Sequence, residues 1–128
     1  MDLGLADRVV IVTGGSAGLG LAVARELVAE GARVVLSARS RDRLEAAVAS
    51  LGRERAEGLA ADLADPETPG RLLAAARTRF GRLDGALVST GGPAPSTPTA
   101  TSDEAWQSAF ASAFLGPVRL ARETVAAL

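Results

Sequence analysis

The residues of this chain best suited to chemistry lie in "TGGSAGLG", which reads Thr13-Gly14-x-x-x-Gly18-x-Gly20 between an apolar run and an amphipathic one. Glycines that carry no Cβ permit a tight turn and let a bulky anion approach the main chain. A helix starting there would aim its unpaired N–H groups and the positive end of its dipole at the same spot. Pyrophosphate is the anion this spacing suits, held by the backbone of Gly14, Ser16, Ala17, Gly18, Leu19 and Gly20.

Further along, the end of the second apolar run should read the adenosine ribose. An acidic residue there would hydrogen-bond the ribose and repel a 2′-phosphate. Here the position is Ala38, followed at once by Arg39. A planar guanidinium can hold a phosphate bidentately, and Ser40, Ser16 or Ser37 can add hydroxyl donors. This pattern predicts NADP(H), with NAD(H) the poorer fit. The plainer alternative for Arg39 is a solvated arginine beside Arg41 and Arg43.

Proton transfer is harder to write. The chain has no His, no Cys and no Tyr, and every basic side chain is Arg. Ser89, Thr90, Ser96, Thr97 and Thr99 are hydroxyls without an activating base, too weakly acidic to catalyse alone, and are read as turn formers. Asp103 and Glu104 suit the first turn of a helix, whose dipole they complement. No catalytic residue and no metal site is therefore assigned.

These groups need elements to position them. Val9 to Val12 reads as a strand buried on both faces. A helix follows from Gly18 to Glu30, with Leu19, Val23, Leu27 and Val28 at helical spacing and Gly31 as its stop. Val34 to Ala38 is the second strand. Ser40 caps a helix over 41–51, with Leu44, Ala47, Val48 and Leu51 on one face. Residues 55–61 make a third strand, and Asp65 with Pro66 opens a helix that ends at Phe80 before Gly81. "LDGALVS" is the fourth strand, and "TGGPAPSTPTAT" is loop. Thr101 with Glu104 forms a capping box for a helix to about Ala127, with Gly116-Pro117 as an internal weak point. Such alternation predicts an α/β fold with a doubly wound parallel sheet, Rossmann-like, in strand order 3-2-1-4.

At this point the sequence resembles the short-chain dehydrogenase/reductase family, whose Thr-Gly-x-x-x-Gly-x-Gly is matched at every fixed position. "ADL" at 61–63 resembles the family's Asp-Leu beside the adenine, which implies roles for Asp62 and Leu63. "FGRLDGALV" at 80–88 resembles its lead into strand four. Where the family usually has Asn-Asn-Ala-Gly, this chain has Ser89-Thr90-Gly91-Gly92 and then Pro93. It is similar to a Thr-Gly-Gly-Pro variant, with Thr90, Gly91 and Gly92 near the nicotinamide ribose. Trp106 followed by Gly116-Pro117 resembles the family's long helix, counted from which its asparagine position is Ala113; packing within the helix is the expected role of Ala113, Phe110 and Phe114.

The resemblance runs over the whole chain, about the first half of a typical member, and implies an oxidoreductase acting on a carbonyl or hydroxyl substrate. The family's catalytic Ser and Tyr-x-x-x-Lys would fall beyond Leu128. Residues 1–128 are thus expected to be an NADP(H)-binding domain, incomplete after the last helix and inactive alone. The alternative is a non-catalytic NADP(H)-binding sensor or scaffold. A homo-oligomer through the helix over 103–127 is also implied.

At 128 residues and 48% hydrophobic composition, one domain with a real core is expected. A net charge of −1 offers no field to attract nucleic acid or an anionic membrane. The start "MDLGLADRVVIV" lacks export-signal features, and no run approaches the roughly 20 apolar residues of a membrane span. A cytoplasmic protein is the expectation.

Overall fold

Uninterrupted aliphatic runs build the centre of the molecule. The computed structural model describes residues 1–128. Its sheet comprises Val9–Thr13 (β1), Arg33–Ala38 (β2), Ala56–Ala60 (β3) and Gly85–Leu87 (β4), paired in parallel in the order β3-β2-β1-β4. The order is the one the sequence predicts. Helices are Gly18–Ala29 (α1), Arg41–Leu51 (α2), Thr68–Phe80 (α3), Asp103–Phe110 (α4) and Gly116–Ala127 (α5), the last two joined by a π-helical turn, Ala111–Leu115.

Both faces of the sheet are covered, which is why β1 and β2 carry apolar residues without alternation. Val12, Val34 and Leu36 pack on Ala24 of α1 and on Leu44, Ala47 and Val48 of α2. Val9, Ile11 and Val35 point the other way, onto Leu72, Leu73 and Ala76 of α3 and Leu120 of α5. Two ties hold β4 beside β1. At the amino end, the Asp84 carboxylate accepts from the Val9 N–H at 2.9 Å and from Arg8 and Arg82. Its pKa falls to about 2, chiefly through the Arg82 hydrogen bonds and with help from Val9 and Arg8, against the opposing effect of burial. At the carboxyl end, Thr13 Oγ1 donates to the Ser89 carbonyl and accepts from the Ser89 N–H, each at 2.9 Å. The buried hydroxyl thus continues the β1–β4 pairing past Leu87.

Several local expectations are corrected. The cap of α4 is Ser102, whose Oγ accepts from the Ala105 N–H at 3.2 Å; Thr101 instead turns its hydroxyl back to Thr97 and Ser96, so no capping box with Glu104 forms. α3 starts at Thr68 after Glu67, with Pro69 in its first turn, because Asp65 and Pro66 are spent in the preceding turns, where Asp65 Oδ1 takes the Glu67 N–H. The apolar stripe expected on α1 is split. Leu27 and Val28 pack on the core, whereas Leu19 is 84% exposed, since the small Gly20 and Ala24 are the residues that lie against the sheet. Phe110 and Phe114 do pack within the helical segment as expected, stacking on one another at 5.1 Å, but each is more than half exposed, and the intervening Ala113 is exposed as well.

The weak point at Gly116-Pro117 is a π turn immediately before it, and the helix continues. Pro117 has no N–H and its ring would crowd the carbonyl four residues back; widening the helix over 111–115 removes both conflicts. Gly116 itself sits on the Leu63 carbonyl, where a Cβ would have no room. No helix is long and apolar enough to cross a membrane.

Candidate functional site

All four strands end at one cleft of about 1090 Å³. Thr13 closes β1, Ser37 and Ala38 close β2, Ala61 follows β3 and Ser89 follows β4, and every one of them lines it. The order β3-β2-β1-β4 places this cleft where the crossovers reverse direction between β1 and β4, the position at which open α/β sheets receive ligands.

The glycine turn forms its floor. Gly14 adopts φ +60, and a Cβ on it would stand 2.8 Å from the Ser89 carbonyl oxygen, so glycine is required both by conformation and by the closeness of β4. Gly18 also has positive φ, +56, but nothing lies within 4 Å of its missing Cβ. Gly20 is needed for another reason: a Cβ there would collide with the Gly14 carbonyl, and its absence lets α1 start directly on the turn. The consequence is electrostatic. Backbone N–H groups of residues 16–20 donate to no acceptor in the protein, and α1 has neither a side-chain cap nor an acidic residue in its first turn. By contrast α2 and α4 have both. The start of α1 is therefore left as an uncompensated cluster of donors.

At the other end of the cleft, past β2 and β3, the wall is made by Arg39, Ser40, Arg43, Asp62 and Leu63. Ser40 caps α2 by accepting from the Arg43 N–H at 3.4 Å. Asp62 Oδ1 accepts from the Ala64 N–H, forming a turn, and the residue still faces the cleft. Thr90, Gly91 and Gly92 line the side after β4. Of the residues singled out in the sequence, Gly14, Ser16, Arg39, Ser40, Asp62, Leu63, Thr90, Gly91 and Gly92 thus converge on one cavity. Ala17, Gly18, Leu19 and Gly20 are at the helix start beside it and offer backbone only; the Leu19 side chain belongs to a separate shallow apolar groove with Leu3, Leu5 and Val23.

Sequence reasoning missed the remaining wall. Trp106, Ala109 and Ser112 reach the cleft from α4 and the π turn, and Arg43 reaches it from α2. The spacing of Arg43, three residues after the cap Ser40, was a usable signal. The approach of α4 was not, because the loop before it has no periodic pattern to fix its course.

A parallel sheet, a glycine turn feeding an uncapped helix and a cleft at the reversal of strand order define a Rossmann-like α/β domain. The model for short chain dehydrogenase matches residues 8–128, and the chain belongs to the short-chain dehydrogenase/reductase family. An uncharacterized oxidoreductase of Mycobacterium tuberculosis is 39% identical over 110 residues, covering 84% of this chain and 41% of its own length. The short chain dehydrogenase andC of Emericella variicolor is 39% identical over 124 residues, covering 94% and 47%. Among solved structures, L-sorbose reductase of Gluconobacter frateurii complexed with NADPH and L-sorbose superposes with TM-score 0.91 at 36% identity, over 99% of this chain and 49% of that one. The chain spans about half the length of the relatives it matches.

Proposed function

We propose that residues 1–128 are the NADP(H)-binding unit of a short-chain oxidoreductase that acts on a small carbonyl or alcohol substrate. The observation that carries this reading is the row of free N–H groups at residues 16–20, beginning at Ser16 in the wall of a cleft whose far wall holds Arg39 and has no acidic residue at the end of β2. Those amides fit a diphosphate, and Arg39 with Ser40 fits a 2′-phosphate. Asp62 and Leu63 would border the adenine, and Thr90, Gly91 and Gly92 the nicotinamide ribose. When bound, the nicotinamide supplies the hydride donor or acceptor. The relative complexed with NADPH supports the choice of coenzyme.

What these side chains do is bind and orient. The sequence has no Tyr, Lys, His or Cys, so on this reading the group that gives or takes the substrate proton is not among these side chains. Without such a group hydride transfer loses roughly 10²- to 10⁴-fold. Binding without turnover is the expected behaviour. A non-catalytic NADP(H) sensor or scaffold is the second reading, favoured by Ala113 at the family's asparagine position.

Trp106 is the sole tryptophan and lines the cleft, so its fluorescence reports occupancy directly. Titration with NADPH should quench it saturably, NADH more weakly, and no oxidation should follow on adding ketones. No response to either coenzyme refutes the proposal. The reading frame after codon 128 separates the two readings: an in-frame Tyr-x-x-x-Lys supports the oxidoreductase, and its absence supports the sensor.

A further inference from the structure

Arg39 is not alone on its wall. Arg43 lines the same cleft from the first turn of α2, while Arg41 and Asp42 between them do not. The first turn of α2 explains the division. Ser40 accepts from the Arg43 N–H, which fixes residues 40 and 43 on one side of the helix start and turns 41 and 42 away. Neither Arg39 nor Arg43 enters an ion pair within the protein; Arg41 is unpaired too, but it does not line the cleft. The single carboxylate on the cleft wall, Asp62, stands within ion-pair distance of neither and spends Oδ1 on the Ala64 N–H. Two guanidinium groups thus line one cavity with no carboxylate paired to either. A doubly charged anion in that part of the cleft would find two cationic groups free to pair with it.

We propose that Arg43 is a second specificity-determining residue, joining Arg39 on the coenzyme's 2′-phosphate. The inference rests on the coenzyme reading above. A phosphate monoester carries a charge of about −1.5 to −2 near neutral pH, so one guanidinium leaves it incompletely neutralised. Arg39 approaches from the end of β2 and Arg43 from the helix, and Ser40 between them can donate its hydroxyl proton while its oxygen caps α2. Preference for the phosphorylated coenzyme is then shared between two side chains, and loss of either leaves a partial preference.

The test measures dissociation constants for NADPH and NADH by Trp106 fluorescence in the full chain and in Arg39→Ala, Arg43→Ala, Arg43→Lys, Arg41→Ala and the Arg39→Ala/Arg43→Ala double variant, with thermal melts as a check on folding. Arg43→Ala should weaken NADPH about tenfold and leave NADH unchanged, which is the discount expected for a partly solvated charged hydrogen bond. Arg43→Lys should fall between, since it keeps the charge and loses the fork. The double variant should bring the two coenzymes close to parity, with a non-additive cycle because both groups grip one phosphoryl. Arg41→Ala should change neither. The inference is overturned if Arg43→Ala leaves the NADPH to NADH ratio as it was, weakens both coenzymes alike, or acts no differently from Arg41→Ala. If the unaltered chain binds neither coenzyme, or shows no preference, the reading beneath falls with it; a preference that only Arg39→Ala removes defeats Arg43 alone.

Discussion

Gly14 and Gly18 both occupy the left-handed region, yet they should respond differently to alanine. At Gly18 the only cost is conformational, about 1–2 kcal/mol for a non-glycine residue at positive φ, because the new methyl meets nothing within 4 Å. At Gly14 the same cost applies, and the methyl also arrives 2.8 Å from a carbonyl oxygen that cannot retreat: Ser89 is held by both bonds to Thr13. Relief requires the turn to lift off β4, which adds about 1–3 kcal/mol of overpacking or lost hydrogen bonding. Each substitution also restricts the unfolded chain, which returns about 0.4–1 kcal/mol. The net loss is then about 2–4 kcal/mol for Gly14→Ala and about 1 kcal/mol for Gly18→Ala. For a domain of this size that corresponds to falls in Tm of roughly 10 °C and roughly 4 °C. Calorimetric or circular-dichroism melts of the two variants side by side provide the measurement. Equal losses would show that the turn and β4 are not in the tight contact described, and a smaller loss at Gly14 would reverse the reasoning.

Asp84, with its pKa drawn from 3.8 to about 2, contributes stability that is fully present above pH 3.8 and is lost as pH falls through 2. Its carboxylate is 17% exposed and its Arg partners are about half exposed, so the contribution is on the order of 1–2 kcal/mol. Urea midpoints between pH 5 and 2 should fall more steeply in the parent than in Asp84→Asn, and parallel curves would refute the assignment. Thr13→Val removes a buried hydroxyl and strands both the Ser89 N–H and carbonyl; about 1–3 kcal/mol should be lost in denaturant titration, and hydrogen exchange at Ser89 should speed up. Ser102→Ala should cost about 1 kcal/mol, whereas Thr101→Ala should cost clearly less, and the opposite ranking in thermal melts would restore Thr101 as the cap.

The sheet was legible because β1 and β2 are buried on both faces, so their apolar runs carry their meaning without context. α2 was equally plain, since Ser40 and the Leu44–Ala47–Val48 face agree. α1 was read with the right ends but only half the right face. Leu27 and Val28 face the core as expected, but Leu19 and Val23 point outward, because contact with the sheet at that end depends on the absence of bulk at Gly20 and Ala24, and small residues give a weak pattern. The glycine floor and Arg39 followed from local chemistry alone. Trp106, Ala109 and Ser112 depend on the path of a proline-rich loop and on a π turn, neither of which leaves a periodic trace. Ser102 over Thr101 as the cap is a choice between adjacent hydroxyls that only the backbone course decides.

The five residues from Ala111 to Leu115 set the rotational phase between the two halves of the last helical segment. Gly116, seated on the Leu63 carbonyl, pins the downstream half, so any change of register has to be absorbed upstream. Deleting one residue here would let an ordinary α-helix form with Trp106 and Ala109 still near their present phase, because the wide turn holds one residue more than an α turn. Rewinding it as α-helix at full length would instead swing them by roughly 100° around the axis, off the cavity wall. The bulge therefore acts as an indexing notch: the winding at this one place, more than side-chain identity, decides which surface of α4 the cavity sees.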